Sequence, residues 1–332
     1  MILSGDLGGT KSLLAIYEDQ DDDLVSIQEG AFPSQQYQTI EALLKDALKA
    51  FKVTKINAVC LGVAGPVIHG DCQTTNLPWK IKKSSLQALF SSDNIFLLND
   101  LEATGWGVLT APNSQFVDLN FQAKNSSTTS NKAVLSAGTG LGEAIMPWHG
   151  NYHEVMATEG GHTDFGPNDD FEMALLNFLR KKHSGHISYE RIVSGAGLYS
   201  LYEFIVQSEK AMTLPDTQQL MQQKDPAAVI GERGLAGSDK ACQLALQRFA
   251  RIYGAEAGNL ALKCLPYGGL YLGGGISIKI LPVLQQPFFM EGFLNKGRYT
   301  ELLRRVPVKV CLNPGIAQLG AAHFASQYFS TR

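Results

Sequence analysis

Short apolar runs alternate with amphipathic stretches along almost the whole chain, and this alternation restricts the fold more than any other sequence feature. The clearest helix is predicted over residues 39–51, where apolar residues recur at the spacing of one helical face. Strands are predicted over residues 2–5, 13–17, 58–63, 95–98, 133–136, 270–272 and 306–312. The pattern favours an α/β architecture with mainly parallel sheets, in which ligands bind where strands end.

Further helices are predicted from their start signals. Asp169 and Asp170 precede an apolar stripe, a third helix should begin near Ser238, and Asn313-Pro314 combines an N-cap residue with proline at the first helical position. Between these elements, residues 124–131 are polar and lack apolar periodicity, which predicts a surface loop just past a lobe boundary.

Length and charge restrict the class of protein. The 332 residues are 45% hydrophobic, which is enough apolar material for two lobes. The net charge is −3 without any basic block, so nucleic acid is not an expected partner. No apolar run reaches the roughly 18 residues of a membrane helix, and the N-terminus lacks a basic leader. We therefore expect a soluble, cytoplasmic protein with no membrane partner.

The five cysteines are odd in number, scattered, and never arranged as Cys-x-x-Cys. This usage indicates reduced thiols and argues against a structural zinc site. His149 and His153 stand four residues apart without a third candidate ligand nearby, and we assign them no metal.

The first glycine-rich turn follows the first predicted strand. Residues 5–12 (Gly-Asp-Leu-Gly-Gly-Thr-Lys-Ser) come within one residue of a Walker A loop, but an apolar strand rather than a helix follows them. A strand–turn–strand hairpin can still bind phosphate through its main-chain N–H groups and the Thr10 hydroxyl. Asp6 could then hold Mg²⁺, directly or through water. The alternative is a tight hairpin with a solvated aspartate.

Two more glycine clusters follow strands, at residues 138–142 and 273–275. Three consecutive glycines are costly in backbone entropy and usually mark a close approach to the main chain. The alternative for the second cluster is close packing of a strand on a helix. Neither cluster matches the dinucleotide-binding fingerprint, so a nicotinamide enzyme is disfavoured, and the three turns together suit a nucleotide held between two lobes.

Polar candidates for chemistry lie at strand ends and in turns. Asn99 and Asp100 stand where a strand leads into a helix, so they could be a helix cap or, for Asp100, a general base. Glu159 and His162 offer a carboxylate and an imidazole on a flexible turn, which could bind vicinal hydroxyls or form an ordinary loop. Glu190 is a further carboxylate candidate, and the alternative is a solvated glutamate beside a helix.

The ordered set of motifs resembles that of the bacterial glucokinase family over essentially the whole chain. The motifs are residues 6–10 (Asp-Leu-Gly-Gly-Thr), 61–66 (Leu-Gly-Val-Ala-Gly-Pro), 75–79 (Thr-Asn-Leu-Pro-Trp), 99–100 (Asn-Asp), 136–142 (Ser-Ala-Gly-Thr-Gly-Leu-Gly), 159–162 (Glu-Gly-Gly-His), 189–195 (Tyr-Glu-Arg-Ile-Val-Ser-Gly) and 272–276 (Leu-Gly-Gly-Gly-Ile). The related repressor-and-kinase family usually has a cysteine-rich zinc motif after Gly-His, whereas residues 163–167 here are Thr-Asp-Phe-Gly-Pro.

This resemblance implies a two-lobed, actin-like (ribonuclease H-like) ATPase fold with a ligand cleft between the lobes. It implies a small α/β domain over residues 1–112, completed by a C-terminal helix over 314–332, and a large α/β domain over 113–313. The implied activity is phosphorylation of glucose at its 6-hydroxyl with ATP and Mg²⁺, usually by a homodimer.

The resemblance also carries over site residues. Asp100 matches the catalytic base. The residues that match the sugar ligands are Asn99, Asp100, Glu159, His162 and Glu190. Those that match the nucleotide-binding turns are Gly5, Asp6, Leu7, Gly8, Gly9, Thr10, Gly138, Thr139, Gly273 and Gly274, with Asp6 as the candidate Mg²⁺ ligand.

Other functions remain open at this stage. A kinase for another hexose, such as mannose or an N-acetylhexosamine, would have a similar sequence. A sugar-responsive regulator of the same fold usually carries an N-terminal DNA-binding module, which we do not find before the strand at Ile2. A chaperone-type ATPase is disfavoured because no peptide-binding region follows.

Overall fold

The computed structural model describes residues 1–20, 23–74, 77–123 and 127–330. Thr75 and Asn76, and residues 124–126 of the predicted polar loop, lie outside these ranges. Contacts within the chain divide it into two units. Unit 1 contains Met1–Gln115, Val155–Ala157 and Asn313–Arg332, and unit 2 contains Phe116–Glu154 and Thr158–Leu312.

Strands and helices alternate in the described ranges. The strands are β1 (Ile2–Leu7), β2 (Lys11–Gln20), β3 (Asp23–Pro33), β4 (Ala58–Val63), β5 (Val67–Ile68), β6 (Asp71–Gln73), β7 (Lys80–Ile81), β8 (Ile95–Asn99), β9 (Phe116–Asp118), β10 (Lys132–Ala137), β11 (Leu141–Met146), β12 (Met156–Thr158), β13 (Leu270–Gly273) and β14 (Val308–Cys311). The helices are α1 (Ile40–Phe51), α2 (Lys83–Phe90), α3 (Asp100–Thr110), α4 (Asp170–Lys182), α5 (Gly195–Gln207), α6 (Pro215–Gln223), α7 (Pro226–Leu235), α8 (Lys240–Cys264), α9 (Gly274–Lys279), α10 (Leu281–Leu284), α11 (Pro287–Leu294), α12 (Thr300–Leu303) and α13 (Ile316–Ser330).

The sheet of unit 1 has the strand order β3-β2-β1-β4-β8. β1 runs antiparallel to β2 and parallel to β4, and β4 runs parallel to β8. The central strand β4 is buried along its whole length, which agrees with its continuous apolar sequence. The parallel pairing brings the carboxyl ends of β1, β4 and β8 to one edge of the sheet.

The six-stranded sheet has the order β12-β11-β10-β13-β14-β9, and its strands other than β12 lie wholly in unit 2. β10 is antiparallel to β11 and parallel to β13, and β13 is parallel to β14. The strands β11, β10, β13 and β14 pair in the same order and directions as β2, β1, β4 and β8 of the unit 1 sheet. Two Gly-Thr turns about 130 residues apart, after β1 and after β10, therefore occupy the same place in two like sheets.

The sequence predicted mainly parallel sheets, and this detail is wrong. Both large sheets contain antiparallel as well as parallel pairs of strands. The physical reason is that each Gly-Thr turn reverses the chain into an antiparallel hairpin instead of opening a helix. The α/β class itself is confirmed.

Several predicted boundaries move by a few residues. Thr39 caps α1 as expected, and its Oγ1 accepts a hydrogen bond from the N–H of Ala42 at 3.3 Å. Asp169 caps α4, and Asp239 rather than Ser238 caps α8. The last helix begins at Ile316, because Asn313 Oδ1 accepts from the N–H of Gly315 in a turn before it.

Glycines let helices approach closely in both units. In unit 1, a methyl group on Gly107 of α3 would overlap the main-chain oxygen of Ile316, and one on Gly320 of α13 would overlap that of Ala103. Buried alanines of α13 (Ala317, Ala321, Ala322 and Ala325) pack with β1 and β4 residues in one apolar cluster. In unit 2, Gly254, Gly258 and Gly292 make the same kind of contact between α8 and α11.

None of the five cysteines forms a disulfide, and all of them are buried. This agrees with the reduced thiols expected from their spacing. Across the part of the chain that the structure describes, no helix combines the length and the apolar character needed to cross a bilayer.

Candidate functional site

The first glycine turn, Gly8 to Thr10, joins β1 to β2 and is held by one serine. The hydroxyl of Ser34 donates to the oxygen of Gly8 at 2.7 Å, and its N–H donates to the oxygen of Thr10 at 3.0 Å. Ser34 Oγ also lies 2.9 Å from Ser12 Oγ. The turn is therefore a fixed hairpin, as predicted, and not the start of a helix.

The remaining residues assigned to this turn lie in β1. Gly5 and Leu7 are buried, and a methyl group on Gly5 would lie 2.6 Å from a Leu14 methyl carbon. Only their main chain could contact a ligand. Asp6 lies between them at the carboxyl end of β1, opposite Gly62 of β4.

Asp6 and Asp100 form a pair of carboxylates in unit 1. Burial and the negative charge of Asp100 together raise the pKa of Asp6 to about 6. A carboxylate whose ionisation is disfavoured by burial and by a neighbouring negative charge is stabilised in its charged form by a bound cation. Mg²⁺ is commonly held by one or two carboxylates and by substrate phosphates, so this donor set fits the ion. The described residues contain no larger group of His, Cys, Asp or Glu side chains arranged around a metal.

Asn99 ends β8 and caps α3. Its Oδ1 accepts a hydrogen bond from the N–H of Leu101 at 2.9 Å, and its Nδ2 donates to the oxygen of Gly65 at 3.3 Å. The same Leu101 N–H lies 2.9 Å from Asp100 Oδ1. Asn99 is thus a helix cap, which was one of the two interpretations from the sequence. The cap fixes the position of Asp100 at the first residue of α3.

The second turn joins β10 to β11 and is linked to Glu190. The N–H of Gly138 donates to the oxygen of Gly140 at 2.9 Å, and the N–H of Gly195 donates to the oxygen of Gly138 at 3.0 Å. The N–H of Leu141 donates to Glu190 Oε2 at 3.0 Å. A methyl group on Gly140 would overlap that oxygen, so a larger residue there would have to displace the Glu190 carboxylate. Thr139 is exposed at the tip of the turn.

The structure brings Glu159, His162 and Glu190 together in unit 2. Gly160–His162 and Tyr189–Arg191 form two short 3₁₀ turns. His162 Nε2 lies 3.8 Å from Glu159 Oε2, and His162 Nδ1 lies 3.9 Å from Glu190 Oε1. The Glu159 side chain is 83% exposed and that of Glu190 is 28% exposed. These three side chains present donors and acceptors of the kind a polyol can satisfy.

The third turn lies between β13 and α9. Gly274 has a φ of +81°, and a methyl group there would overlap the main-chain oxygen of Ala137 at the end of β10. Close packing therefore explains Gly274. Because Gly273 is opposite Ser136 in the parallel pair, the second and third turns lie at the same edge of the unit 2 sheet.

Sequence reasoning missed Ser34 and Glu143. Ser34 lies in a short polar stretch without any pattern, and only the fold brings it to the first turn. Glu143 is an acidic residue inside the otherwise apolar strand β11, and this contrast was the available signal. Its side chain lies directly under Gly160.

The fold and these turns define a class of protein, the mixed α/β fold found in glucokinases of known structure. The crystal structure of a glucokinase from an Antarctic psychrotroph aligns over 98% of both chains with a TM-score of 0.81 and 29% identity. That of a Balamuthia mandrillaris glucokinase in complex with glucose aligns over 98% of this chain and 93% of the other, with a TM-score of 0.82 and 22% identity. The predicted fold class is confirmed.

Sequence comparison gives the particular family. The Glucokinase family model matches residues 3–328. A glucokinase of Trichormus variabilis is 37% identical over 341 aligned residues, which cover 98% of this chain and 99% of the relative. The chain belongs to the glucokinase family, as the ordered motifs predicted.

Proposed function

We propose that this chain transfers the terminal phosphoryl group of ATP to the 6-hydroxyl of glucose, with Asp100 as the general base. Family membership supports the class of reaction. The observation that carries the assignment of the base is the pairing of Asp100 with Asp6, at the end of the sheet next to the first glycine turn.

The proposed chemistry asks little of the protein beyond alignment and charge neutralisation. Phosphoryl transfer passes through a loose transition state in which most catalysis is positioning and electrostatic stabilisation. A sugar hydroxyl is a poor nucleophile at neutral pH. A carboxylate oxygen of Asp100 accepts its proton as the bond to phosphorus forms, and the Asn99 cap keeps that carboxylate in place.

Asp6 is the proposed ligand for Mg²⁺, directly or through water. When bound, Mg²⁺ neutralises charge on the phosphates of the nucleotide. The main-chain N–H groups of the first and second turns would bind phosphate oxygens, and Thr10 and Thr139 would add hydroxyl donors. The Ser34 contacts hold the first turn rigid, so the donors are oriented before the ligand arrives.

Sugar recognition is assigned to Asn99, Asp100, Glu159, His162 and Glu190. A polar site rejects an analogue that lacks a hydroxyl, because the protein groups that would bind that hydroxyl lose their partner. We propose glucose as the preferred hexose. A panel that also contains mannose and N-acetylglucosamine, assayed by ADP release, tests this choice directly.

Substitution of Asp100 tests the proposed base. We expect Asp100→Asn to lower kcat by about 10²- to 10⁴-fold, the usual contribution of a general base, while glucose still binds. The Asn side chain keeps the size of Asp but cannot accept the proton. The measurements are steady-state turnover and glucose binding by calorimetry.

Asp46→Asn serves as the control, because Asp46 is an exposed residue of α1 paired with Lys49. Turnover of the Asp100→Asn variant within threefold of the parent would contradict the assignment.

The family resemblance also supports a homodimer. Sedimentation velocity over a range of concentrations tests this proposal, and a single species with the mass of one chain would exclude it.

A further inference from the structure

A buried pair of carboxyl groups lies beneath the turn that carries Glu159 and His162. Glu143 of β11 is 1% exposed and Glu256 of α8 is 0% exposed. Neither belongs to the site proposed above. A buried charge is unfavourable unless it is paired, so two adjacent buried carboxyls need a physical explanation.

Glu143 contacts the turn directly. A methyl group on Gly160 would overlap Glu143 Oε2, and one on Gly161 would overlap the main-chain oxygen of Leu141 on the same strand. Thr158, at the start of the turn, donates through its hydroxyl to the oxygen of Glu143 at 3.3 Å. The two glycines therefore pack directly against β11, and the first of them, Gly160, contacts the Glu143 side chain.

The two carboxyls are close enough for each to change the pKa of the other, and Lys263 Nζ lies 4.0 Å from Glu256 Oε1. Oε1 of Glu143 and Oε1 of Glu256 have no hydrogen-bond donor among the described residues. Burial raises the pKa of Glu143 to about 8, and the negative charge of Glu256 adds to the effect. Burial raises the pKa of Glu256 as well, while its hydrogen bonds from Asn259 and Glu143 and the charge of Lys263 favour the ionised form. A proton on Glu143, donated toward Glu256, supplies the missing donor.

The same network reaches the second sugar-binding turn. Asn259 Nδ2 lies 2.8 Å from Glu256 Oε2 and 3.0 Å from the hydroxyl of Tyr189, the residue before Glu190. Lys296 Nζ donates to Asn259 Oδ1 at 2.5 Å. One helix, α8, thus supports both turns through Glu256 and Asn259.

We propose that Glu143 is a positioning residue, and that the proton it shares with Glu256 holds the turn bearing Glu159 and His162 in its glucose-binding position. This inference rests on the proposed function, because it takes those two residues to be sugar ligands. Glu143 itself does not touch the sugar in this proposal.

The proposal predicts a specific pH dependence. The folded-state pKa of Glu143 lies above its ordinary value of 4.5, so the supporting proton is present at neutral pH and is lost as the pH rises through about 8. Two ionised carboxylates would then repel each other under the turn. The other titratable groups that act on the pair or on its network are Lys263, Lys296, Tyr189, Tyr253, Cys264 and Glu172, and the turn itself carries Glu159 and His162.

The experiment compares Glu143→Gln with Glu143→Ala by measuring KM for glucose from pH 6.5 to 9. In the parent, KM for glucose should rise by about tenfold one pH unit above the pKa of Glu143. The Gln variant still donates to Glu256 but has no proton to lose, so its KM should stay within about twofold of the parent at pH 7 and show no alkaline rise. The Ala variant should have a KM raised by about tenfold at every pH, because the donor is gone.

Three controls accompany these variants. KM for ATP should change by less than about twofold in both Glu143→Gln and Glu143→Ala. Glu154→Gln changes an exposed carboxylate of unit 2 that pairs with His149, and should keep the parent's alkaline rise. Thermal unfolding shows whether each variant folds, and the isosteric Gln variant keeps the test valid if Glu143→Ala does not.

Two results would overturn the proposal: an alkaline rise that persists in Glu143→Gln, or an Ala variant with the parent's KM for glucose. Glu159→Ala is measured in parallel to separate this proposal from the proposed function. If Glu159→Ala binds glucose normally, the sugar site itself is misassigned. If Glu159→Ala loses glucose but the Glu143 variants do not, only the positioning role fails.

Discussion

Glu190 contacts two parts of unit 2 with one carboxylate. Oε2 accepts the N–H of Leu141 where the second glycine turn enters β11, and Oε1 faces His162 at 3.9 Å. A sequence can suggest that a glutamate binds sugar, but it does not reveal that the same side chain also supports the neighbouring turn. This double role makes the choice of substitution informative.

We expect Glu190→Ala and Glu190→Gln to differ in their effect on ATP. The amide oxygen of Gln can still accept the Leu141 N–H, so KM for ATP should be nearly unchanged while KM for glucose rises by about tenfold. Ala removes both contacts, so KM for glucose and KM for ATP should rise together. Initial-rate kinetics with each substrate varied in turn measure both constants.

Glu154→Gln provides a matched control in unit 2, because Glu154 is exposed and pairs with His149. Equal values of KM for ATP in Glu190→Ala and the parent would show that the Leu141 contact does not support the turn.

At the level of secondary-structure elements, α3 and α13 cross at a point where each helix has a glycine, which carries no side chain. Gly107 lies against the main chain of Ile316, and Gly320 lies against that of Ala103. The helices can therefore approach more closely than two helices separated by larger side chains. A methyl group at either position must separate them or distort the backbone.

We predict that Gly320→Ala lowers the free energy of unfolding by about 1–3 kcal/mol, the usual cost of overpacking. Gly231→Ala in α7 is the matched control, because a methyl group there meets no atom within 4 Å. Ala is the better helix former, so the control should be equally stable or gain about 0.5–1 kcal/mol. Urea unfolding of both variants measures the difference. A Gly320→Ala variant as stable as the parent would show that the crossing has room for a methyl group.

The elements also show what sequence patterns can predict. α1 and α4 were predicted well because each combines a side-chain cap with a one-sided apolar stripe. β3 was missed because its many polar residues form a strand only through pairing with β2. The start of α13 was predicted two residues too early because Asn313 caps a turn before the helix.

The candidate site residues were predicted from sequence motifs. Ser34 and Glu143 could not be predicted in this way, because they contact the site from segments that are distant in the sequence.

The whole molecule repeats one sheet plan, and the proposed sugar ligands belong to both copies. Asn99 and Asp100 lie in unit 1, and Glu159, His162 and Glu190 lie in unit 2. Each proposed ligand, whichever unit contains it, should be needed for glucose to stabilise the protein.

We expect glucose at 100 times its Kd to stabilise the parent by about 2.7 kcal/mol. The shift in Tm should be largely lost in both Asn99→Ala and Glu159→Ala at the same glucose concentration. Because Asn99 also caps α3, the quantity compared is the glucose-induced shift within each variant and not the absolute Tm. Asp118→Asn, which removes a partner of Lys309 in unit 2, should keep the full shift. A full shift in either substituted variant would remove that residue from the sugar site.

Unit 1 is assembled from segments that are distant in the chain, and this has a consequence for how the protein is made. Its sheet and α3 precede unit 2, whereas α13, whose alanines complete the apolar cluster over β1 and β4, follows it. During synthesis, α13 therefore cannot pack against the apolar face of β1 and β4 until the ribosome has translated all of unit 2. The segments of unit 1 that are made first therefore cannot complete this apolar cluster before the last helix is made.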